Sequence, residues 1–182
     1  MDYEQKALKA TEYADYELFS KTISEYNNNW TVTTTSDFDG YEPTFTMHDA
    51  VINDDDNKPL FVEIKSRPKY KIDSFKTFII DEYKVNYLAD CIKEGQCYNA
   101  IIASIYIESD IMCLWSMSDL EKWNKTSKIA PTSTMLSYGR KTNKMFYELP
   151  IDDAVKYKCD CTHYNDLIEE YLNKIENTTN DD

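Results

Sequence analysis

The 182-residue chain contains only three glycines, and none of them belongs to a glycine-rich phosphate loop. Such loops need glycine for their unusual backbone angles and for close approach to a triphosphate or dinucleotide. We therefore expect no nucleotide cofactor and no ATP-driven activity. The chain also has only two histidines, and no Ser/His/Asp grouping stands out. Catalysis by an activated serine is not indicated.

Long apolar segments are missing as well. No run approaches the ~18 apolar residues that a membrane-spanning helix needs, and residues 1–6 are acidic, without the apolar segment of a signal peptide. The five cysteines are an odd number at irregular spacing, which argues against a disulfide framework. We expect a reduced, cytoplasmic protein with no membrane partner.

Basic residues are scarce, since 20 lysines and arginines are set against 33 acidic residues, for a net charge of −13. This charge alone disfavours a nucleic-acid partner. Its distribution is uneven, however: residues 1–63 carry −10, residues 64–145 carry +4 and residues 146–182 carry −7. A local positive surface can hold a phosphate backbone on an acidic protein, so nucleic-acid binding should weaken at high salt.

Apolar residues form 42% of the chain and aromatic residues 14%, as in folded globular proteins. The length suits one domain with a real core. We predict a single domain over residues 1–182, with a core at about 3–150, a helical appendage at about 151–176 and a frayed tail at 177–182.

The spacing of apolar residues predicts the order of the elements. Helices are expected at 3–26, 77–93 and 164–175, and a short helix opens at Ser118 with Glu121 completing a capping box. Strands are expected at 30–35, 45–52, 60–66, 98–107, 111–115 and 144–149, with loops at 69–76 and 125–134. The order predicts an α/β protein with a central mixed sheet flanked by helices.

Two consecutive strands carry the most informative side chains. Asp49 lies on the strand at 45–52, Glu63 and Lys65 lie on the strand at 60–66, and the polar run 53–59 between them is typical of a hairpin loop. Since side chains alternate along a strand, Glu63 and Lys65 share a face. Two carboxylates beside a lysine suit a divalent-metal site for phosphodiester hydrolysis. The alternative is a solvated hairpin edge.

This Glu-x-Lys strand follows a helix with a Glu and a strand with an Asp, and precedes a helix and a strand. Over roughly residues 10–115 the pattern resembles the PD-(D/E)XK nuclease superfamily, which implies a restriction-endonuclease-like αβββαβ core. Segments 112–116 and 144–150 are similar to phage-encoded members. His48 stands where the family has its eponymous proline, and we expect it to face away from Asp49.

The resemblance implies that Asp49, Glu63 and the Ile64 carbonyl bind Mg²⁺ or Mn²⁺. Lys65 would position the attacking water or stabilise charge on the phosphate. Because the ordinary pKa of lysine is about 10.4, we favour charge stabilisation. Its alternative role is a salt bridge to Glu63 or Asp49.

Two further catalytic residues are implied by the resemblance. Glu17 is the first choice for the acid on the first helix, and Glu12 competes with it one turn away. Lys84, on the helix after the Glu-x-Lys strand, would reach the scissile phosphate or extend to water.

A basic segment follows the same strand. It consists of Arg67, Lys69, Lys71 and Lys76, with Tyr70 and Phe75 between them. This composition suits contacts to a nucleic-acid backbone and stacking on bases, or else a solvated loop.

The predicted function is that of a Mg²⁺-dependent, phage-encoded nuclease that hydrolyses DNA in replication, recombination or genome processing, in the host cytoplasm. The resemblance leaves a homodimer open, since many relatives are dimers. The alternative is a non-cleaving protein on the nuclease fold, whose acidic surface docks a basic partner or mimics DNA.

Overall fold

The computed structural model describes residues 3–36, 38, 48–53, 58–131 and 141–178. Within these residues, no helix is long and apolar enough to cross a bilayer. The described helices are α1 (Tyr3–Tyr26), α2 (Glu82–Lys93) and α3 (Tyr164–Thr178). The described strands are β1 (Thr31–Thr34), β2 (Ala50–Asn53), β3 (Pro59–Ser66), β4 (Thr77–Asp81), β5 (Asn99–Tyr106), β6 (Ile111–Ser116), β7 (Asn124–Pro131), β8 (Lys141–Pro150) and β9 (Val155–Lys158).

A central sheet contains six of the described strands in the order β1-β2-β3-β5-β6-β9. Among them, only β3 and β5 are parallel neighbours. Parallel neighbours need a crossover connection, and α2 lies in it. The predicted α/β fold with a mixed central sheet flanked by helices is confirmed.

Helices cover both faces of this sheet. On one face, Leu18 and Phe19 of α1 are buried against the β2 and β3 side chains Ile52 and Val62. Each such side chain stabilises the fold by about 1.5–3 kcal/mol on burial. Helix α3 packs beside α1, where Tyr171 is buried. The predicted first helix is confirmed over its full length, because neither Gly nor Pro interrupts it.

On the other face, α2 buries Val85 and Leu88 against the central sheet. This helix was predicted to begin at Thr77, and that boundary is wrong. Residues Thr77–Asp81 form β4, in which Phe78 and Ile80 are buried and their neighbours are less so. The Asp81 side chain accepts a hydrogen bond from the Tyr83 N–H, so the helix begins only at Glu82. At its other end, Gly95 has φ +74°, as a C-terminal cap requires.

A second, three-stranded sheet has the order β4-β8-β7. Strand β7 occupies most of the segment predicted as the loop 125–134, of which residues 132–134 lie outside the described part. The predicted strand at 144–149 is confirmed within the longer β8. The short helix at Met117–Lys122 is a 3-10 helix capped by Ser116, whose hydroxyl accepts from the Ser118 N–H, so the predicted cap at Ser118 is wrong.

The C-terminal segment, predicted as a helical appendage, adds β9 to the edge of the central sheet. Cys159, Cys161 and Tyr164 are buried in the same core as α1. All five cysteines are buried free thiols.

Candidate active site

The predicted hairpin is observed: β2 and β3 are antiparallel, with Ala50 opposite Val62. Its loop residues 54–57, and residues 45–47 of the predicted first strand, lie outside the described part. Asp49 immediately precedes β2, and its N–H donates to the Val62 carbonyl at 2.8 Å. The Ile64 N–H donates to Asp49 Oδ2 at 2.7 Å. The Asp49 carboxylate is thereby held against the end of β3.

Glu63 is wholly buried, on the β3 face that also carries Phe61 and Lys65. Lys84 reaches it from α2, with Nζ 2.8 Å from Glu63 Oε2. The Lys65 ammonium lies 3.1 Å from Glu63 Oε1. Because an isolated charge is very costly to bury, the two lysines explain how a carboxylate is tolerated here.

One oxygen of Glu63 has an incomplete environment. Its Oε1 forms the ion pair with Lys65 but receives no hydrogen bond from any described residue. It is an oxygen to which a cation can bind.

The two carboxylates repel each other. Burial, followed by the charge of Glu63, raises the pKa of Asp49 from 3.8 to about 6, against the opposing charge of Lys65. Burial lowers the pKa of Lys65, but the charges of Glu63 and Asp49 outweigh it and raise the pKa overall. Lys65 is therefore a cation at neutral pH, as charge stabilisation requires.

The first helix turns Glu12, not Glu17, towards these residues. Burial raises the pKa of Glu12, and Lys65, Asp15, Lys84 and Glu63 all act on it electrostatically. For Glu17, burial and the charge of Glu170 on α3 raise the pKa. Residues five apart on a helix point about 140° apart. The structure therefore places Glu12, and not Glu17, near Glu63, Lys65 and Lys84.

Asp15 was missed by the sequence reasoning, although it lies one turn from Glu12. It is buried, and it accepts hydrogen bonds from the Ser66 N–H at 3.2 Å and the Tyr164 hydroxyl at 2.8 Å. Burial raises the pKa of Asp15 despite these bonds. Asp15 attaches α1 to the end of β3. A carboxylate in the apolar stripe of α1 was the sequence signal that could have found it.

His48, which is predicted to face away from Asp49, lies on the Phe61 and Glu63 face of β3. Its ring stacks on Phe61 with centroids 3.9 Å apart. Its Nδ1 is 3.1 Å from the Tyr87 hydroxyl of α2. Burial lowers the pKa of His48. The ring thus fills the space between the hairpin and α2.

The basic segment divides into two parts. The Arg67 guanidinium lies 4.6 Å from the centre of the Phe78 ring, and burial lowers its pKa, so it packs against the core rather than extending outward. The other members are exposed: Lys69, Lys71 and Lys76. Between them, the rings of Tyr70 and Phe75 meet edge to face at 5.2 Å. The exposed part presents three ammonium groups around an aromatic pair.

The residues present fit a magnesium-type ion. No three His, Cys, Asp or Glu side chains within the described ranges form a group that could hold a metal by themselves. Mg²⁺ does not require three, because it usually takes one or two carboxylates with waters and substrate phosphate. Asp49 and Glu63 supply two carboxylates. The Ile64 carbonyl points to the same strand edge as the Ile64 N–H that binds Asp49.

Comparisons with known proteins give a structural likeness without a sequence match. No protein-family model matches the chain, and no curated protein matches it significantly. Among solved structures, the chain is similar to Hjc, a Holliday junction resolvase from Archaeoglobus fulgidus, with 12% sequence identity and a TM-score of 0.42. The match covers 76% of this chain and 93% of the resolvase chain.

Proposed function

We propose that the protein is a divalent-metal-dependent nuclease that hydrolyses DNA phosphodiester bonds. One observation carries the proposal: the wholly buried Glu63 carboxylate in the C-terminal half of β3, beside Asp49 and between two lysine ammonium groups. A wholly buried carboxylate is costly to fold around even when two lysines compensate its charge. Such a cost is typical of functional sites.

In this proposal, Asp49, Glu63 and the Ile64 carbonyl hold Mg²⁺ or Mn²⁺. The bound ion would polarise the phosphate and acidify a water. Lys65, as a cation, binds the phosphate oxygens and stabilises the negative charge that grows on them. Lys84 holds Glu63 in place and adds a second positive charge to the same face.

Glu12 is our candidate to orient the attacking water or accept its proton. Burial raises its pKa, and the charges of Lys65 and Glu63 act on it, which places it electrostatically beside the cluster. The exposed lysines of the basic segment bind the DNA backbone beside the site. Arg67 anchors the start of that segment to the core by packing its guanidinium on the Phe78 ring.

Finer parts of the proposal follow from the resemblance of the sequence. Segments 112–116 and 144–150 favour a phage-encoded enzyme acting in replication, recombination or genome processing in the host cytoplasm. A homodimer is part of the same expectation. Light scattering of the purified protein tests the dimer.

The proposed activity is tested by digesting circular and linear DNA, both single- and double-stranded, with Mg²⁺, with Mn²⁺ or with EDTA. We expect cleavage with either ion and none with EDTA. Asp49→Ala should abolish cleavage while the protein stays folded by circular dichroism. Asp153→Ala, at an exposed aspartate after β8, is the matched control and should cut normally. Cleavage by Asp49→Ala at the wild-type rate would falsify the assignment.

A non-cleaving binding protein is the second candidate. The observation that favours it is that both Glu63 oxygens already face lysine ammonium groups, at 2.8 and 3.1 Å. These contacts compete with metal binding. Calorimetric titration with Mg²⁺ and Mn²⁺ in the presence of DNA separates the two candidates, since a binding protein would take up no ion.

A further inference from the structure

Strands β7 and β8 continue as a two-stranded pair beyond the end of their sheet neighbour β4. The last pair between β4 and β8 is Asp81 opposite Phe146. Strands β7 and β8 stay paired for five more positions, from Ser127 opposite Met145 to Pro131 opposite Lys141. We call this two-stranded extension, residues 127–131 and 141–145, the ribbon. Most of its side chains are exposed, including Ile129 at 72%.

The ribbon strands are basic on a strongly acidic chain. Together β7 and β8 carry four lysines and a single acid, Glu148. Lys128 lies directly opposite Lys144. Like charges in this position destabilise a strand pair. Both lysines also lie near acids of the same sheet, with Lys128 Nζ 4.0 Å from Glu148 Oε1 and Lys144 Nζ 3.2 Å from Asp81 Oδ2. The Lys128 and Lys141 side chains nevertheless remain exposed, so their charge is open to an external anion.

The base of the ribbon adjoins the candidate active site. Lys144 forms an ion pair with Asp81 at 3.2 Å, and Lys125 forms one with Glu82 at 2.6 Å. Those two acids begin α2. Two residues further along α2, Lys84 binds Glu63. The first turn of α2 thus joins the catalytic cluster to the ribbon.

We propose that the ribbon binds duplex DNA by entering its major groove beside the site of cleavage. The proposal rests on the proposed function for DNA as the substrate, and it adds that the substrate is double-stranded next to the cut. The major groove is about 12 Å wide and admits a two-stranded β-ribbon. Five residues of strand span roughly 16 Å, which is enough to cross it.

The side chains of the ribbon suit a groove. Because side chains alternate, Lys128 and Lys144 project from one face, and Lys141 projects from the other. Lysine side chains are long, so an ammonium group on either face can extend to the phosphates that border the groove. Ile129 and its cross-strand partner Asn143 offer an apolar group and an amide, which match a thymine methyl and an adenine edge.

Two other occupants fit less well. The major groove of duplex RNA is deep and narrow, so a ribbon cannot enter it. A second copy of the chain would bring its own lysines against these, and lysines on an edge strand such as β7 oppose strand-to-strand association.

The test uses Lys128→Glu/Lys141→Glu in the non-cleaving Asp49→Ala background. The matched control, Lys93→Glu/Lys156→Glu in the same background, makes the same charge change at exposed lysines on the C-terminal end of α2 and on β9. Fluorescence anisotropy measures the affinity for a DNA duplex of about 30 base pairs, which is about three helical turns, over a range of salt concentrations. Thermal melts confirm folding. If the glutamate variant does not fold, Lys128→Gln/Lys141→Gln replaces it in the same measurement.

We expect the ribbon variant to bind about 10-fold more weakly than the control, with a salt slope reduced by about 2. An RNA duplex of the same sequence should show no such dependence. Equal DNA affinity and equal salt slope for the two variants would overturn the proposal. So would a ribbon variant whose mass in solution halves while its DNA affinity matches the control, because the ribbon would then join two copies.

The same measurements separate this proposal from the nuclease proposal. Ribbon-dependent duplex binding by a wild-type protein that cuts nothing supports the ribbon and rejects the nuclease. Metal-dependent cleavage with a ribbon variant that binds like its control rejects the ribbon and leaves the nuclease.

Discussion

Ile64 and Asp49 are joined across the hairpin by a 2.7 Å hydrogen bond from the Ile64 N–H to Asp49 Oδ2. The bond fixes one carboxylate beside a second, that of Glu63, before any cation binds. The cost appears as the raised pKa of Asp49, whose causes are burial and then the Glu63 charge. The backbone of β3 thus sets the geometry of the site. The ionised Asp49 carboxylate lowers the stability of the folded protein as a result.

The first prediction concerns the stability of the metal-free protein against pH. The pKa of Asp49 is raised by burial from 3.8 to about 6, so between these values the folded protein binds more protons than the unfolded chain. The free energy of unfolding should therefore fall as pH rises through this window, by up to about 3 kcal/mol from this group. Urea denaturation in EDTA at pH 4 and pH 7 measures the fall.

Asp49→Asn is the matched variant, because the amide has the same shape and does not titrate. Between pH 4 and pH 7 the free energy of unfolding should fall less in this variant than in the wild type, and the difference is the contribution of Asp49. At pH 7, Mg²⁺ should raise the melting temperature of the wild type and leave the variant unchanged. An equal fall in both proteins would contradict the assigned repulsion.

The second prediction compares two acids on one helix. Glu12→Gln should reduce metal-dependent cleavage by about 100- to 10,000-fold, as expected for a group that assists proton transfer. Glu17→Gln is the same substitution at a residue that faces α3, so this variant should cleave DNA like the wild type. The comparison is of initial rates at saturating DNA. Loss of activity in Glu17→Gln alone would restore the assignment made from the sequence.

The third prediction concerns Lys84. Removing it leaves a wholly buried Glu63 with one lysine, so Lys84→Met should lower the free energy of unfolding by about 1–3 kcal/mol. Lys65→Met should cost less, because the Lys65 side chain is 44% exposed and that of Lys84 only 24%. Denaturation in EDTA ranks the two variants.

A double-mutant cycle isolates the ion pair in that prediction. Glu63→Gln/Lys84→Met removes both charges, so it should be more stable than the sum of the two single changes predicts. Simple additivity would show that Lys84 acts through packing.

The fourth prediction concerns the exposed aromatic pair. Tyr70→Ala/Phe75→Ala should weaken binding to single-stranded DNA by about 5- to 100-fold, because a stacked base contributes about 1–3 kcal/mol. Tyr98→Ala is the single-residue control: Tyr98 is 46% exposed, Tyr70 is 47% exposed, and Tyr98 lies beside Pro59 at the opposite end of β3. Anisotropy with a labelled oligonucleotide gives both affinities. A Tyr98→Ala effect as large as that of the pair would remove the stacking role.

Local sequence determined the elements whose pattern is unambiguous. Helix α1, with neither Gly nor Pro, and the apolar strand β5 could be predicted. The segment 77–81 could not, since Phe78 and Ile80 fit both a helical and an alternating pattern. Strand β7 is polar and almost wholly exposed, so only its pairing with β8 reveals it.

The site shows the same division. Glu63 and Lys65 share a face because side chains alternate along a strand, so their spacing of two residues is enough to predict it. The choice between Glu12 and Glu17 depends on how α1 is rotated over the sheet. That rotation is set by Asp15, through bonds to Ser66 and to Tyr164, which lies 149 residues away. Distant contacts of this kind leave no local pattern.

The Tyr164 hydroxyl also lies 2.9 Å from the Ser66 hydroxyl, 98 residues earlier in the chain. A ribosome that adds 5–20 residues per second needs roughly 5 to 20 seconds to travel between the two positions. Throughout that interval the strand bearing Glu63 lacks its final support. The cluster of Asp49 and Glu63 therefore lacks this support until the chain has been synthesised as far as the start of α3.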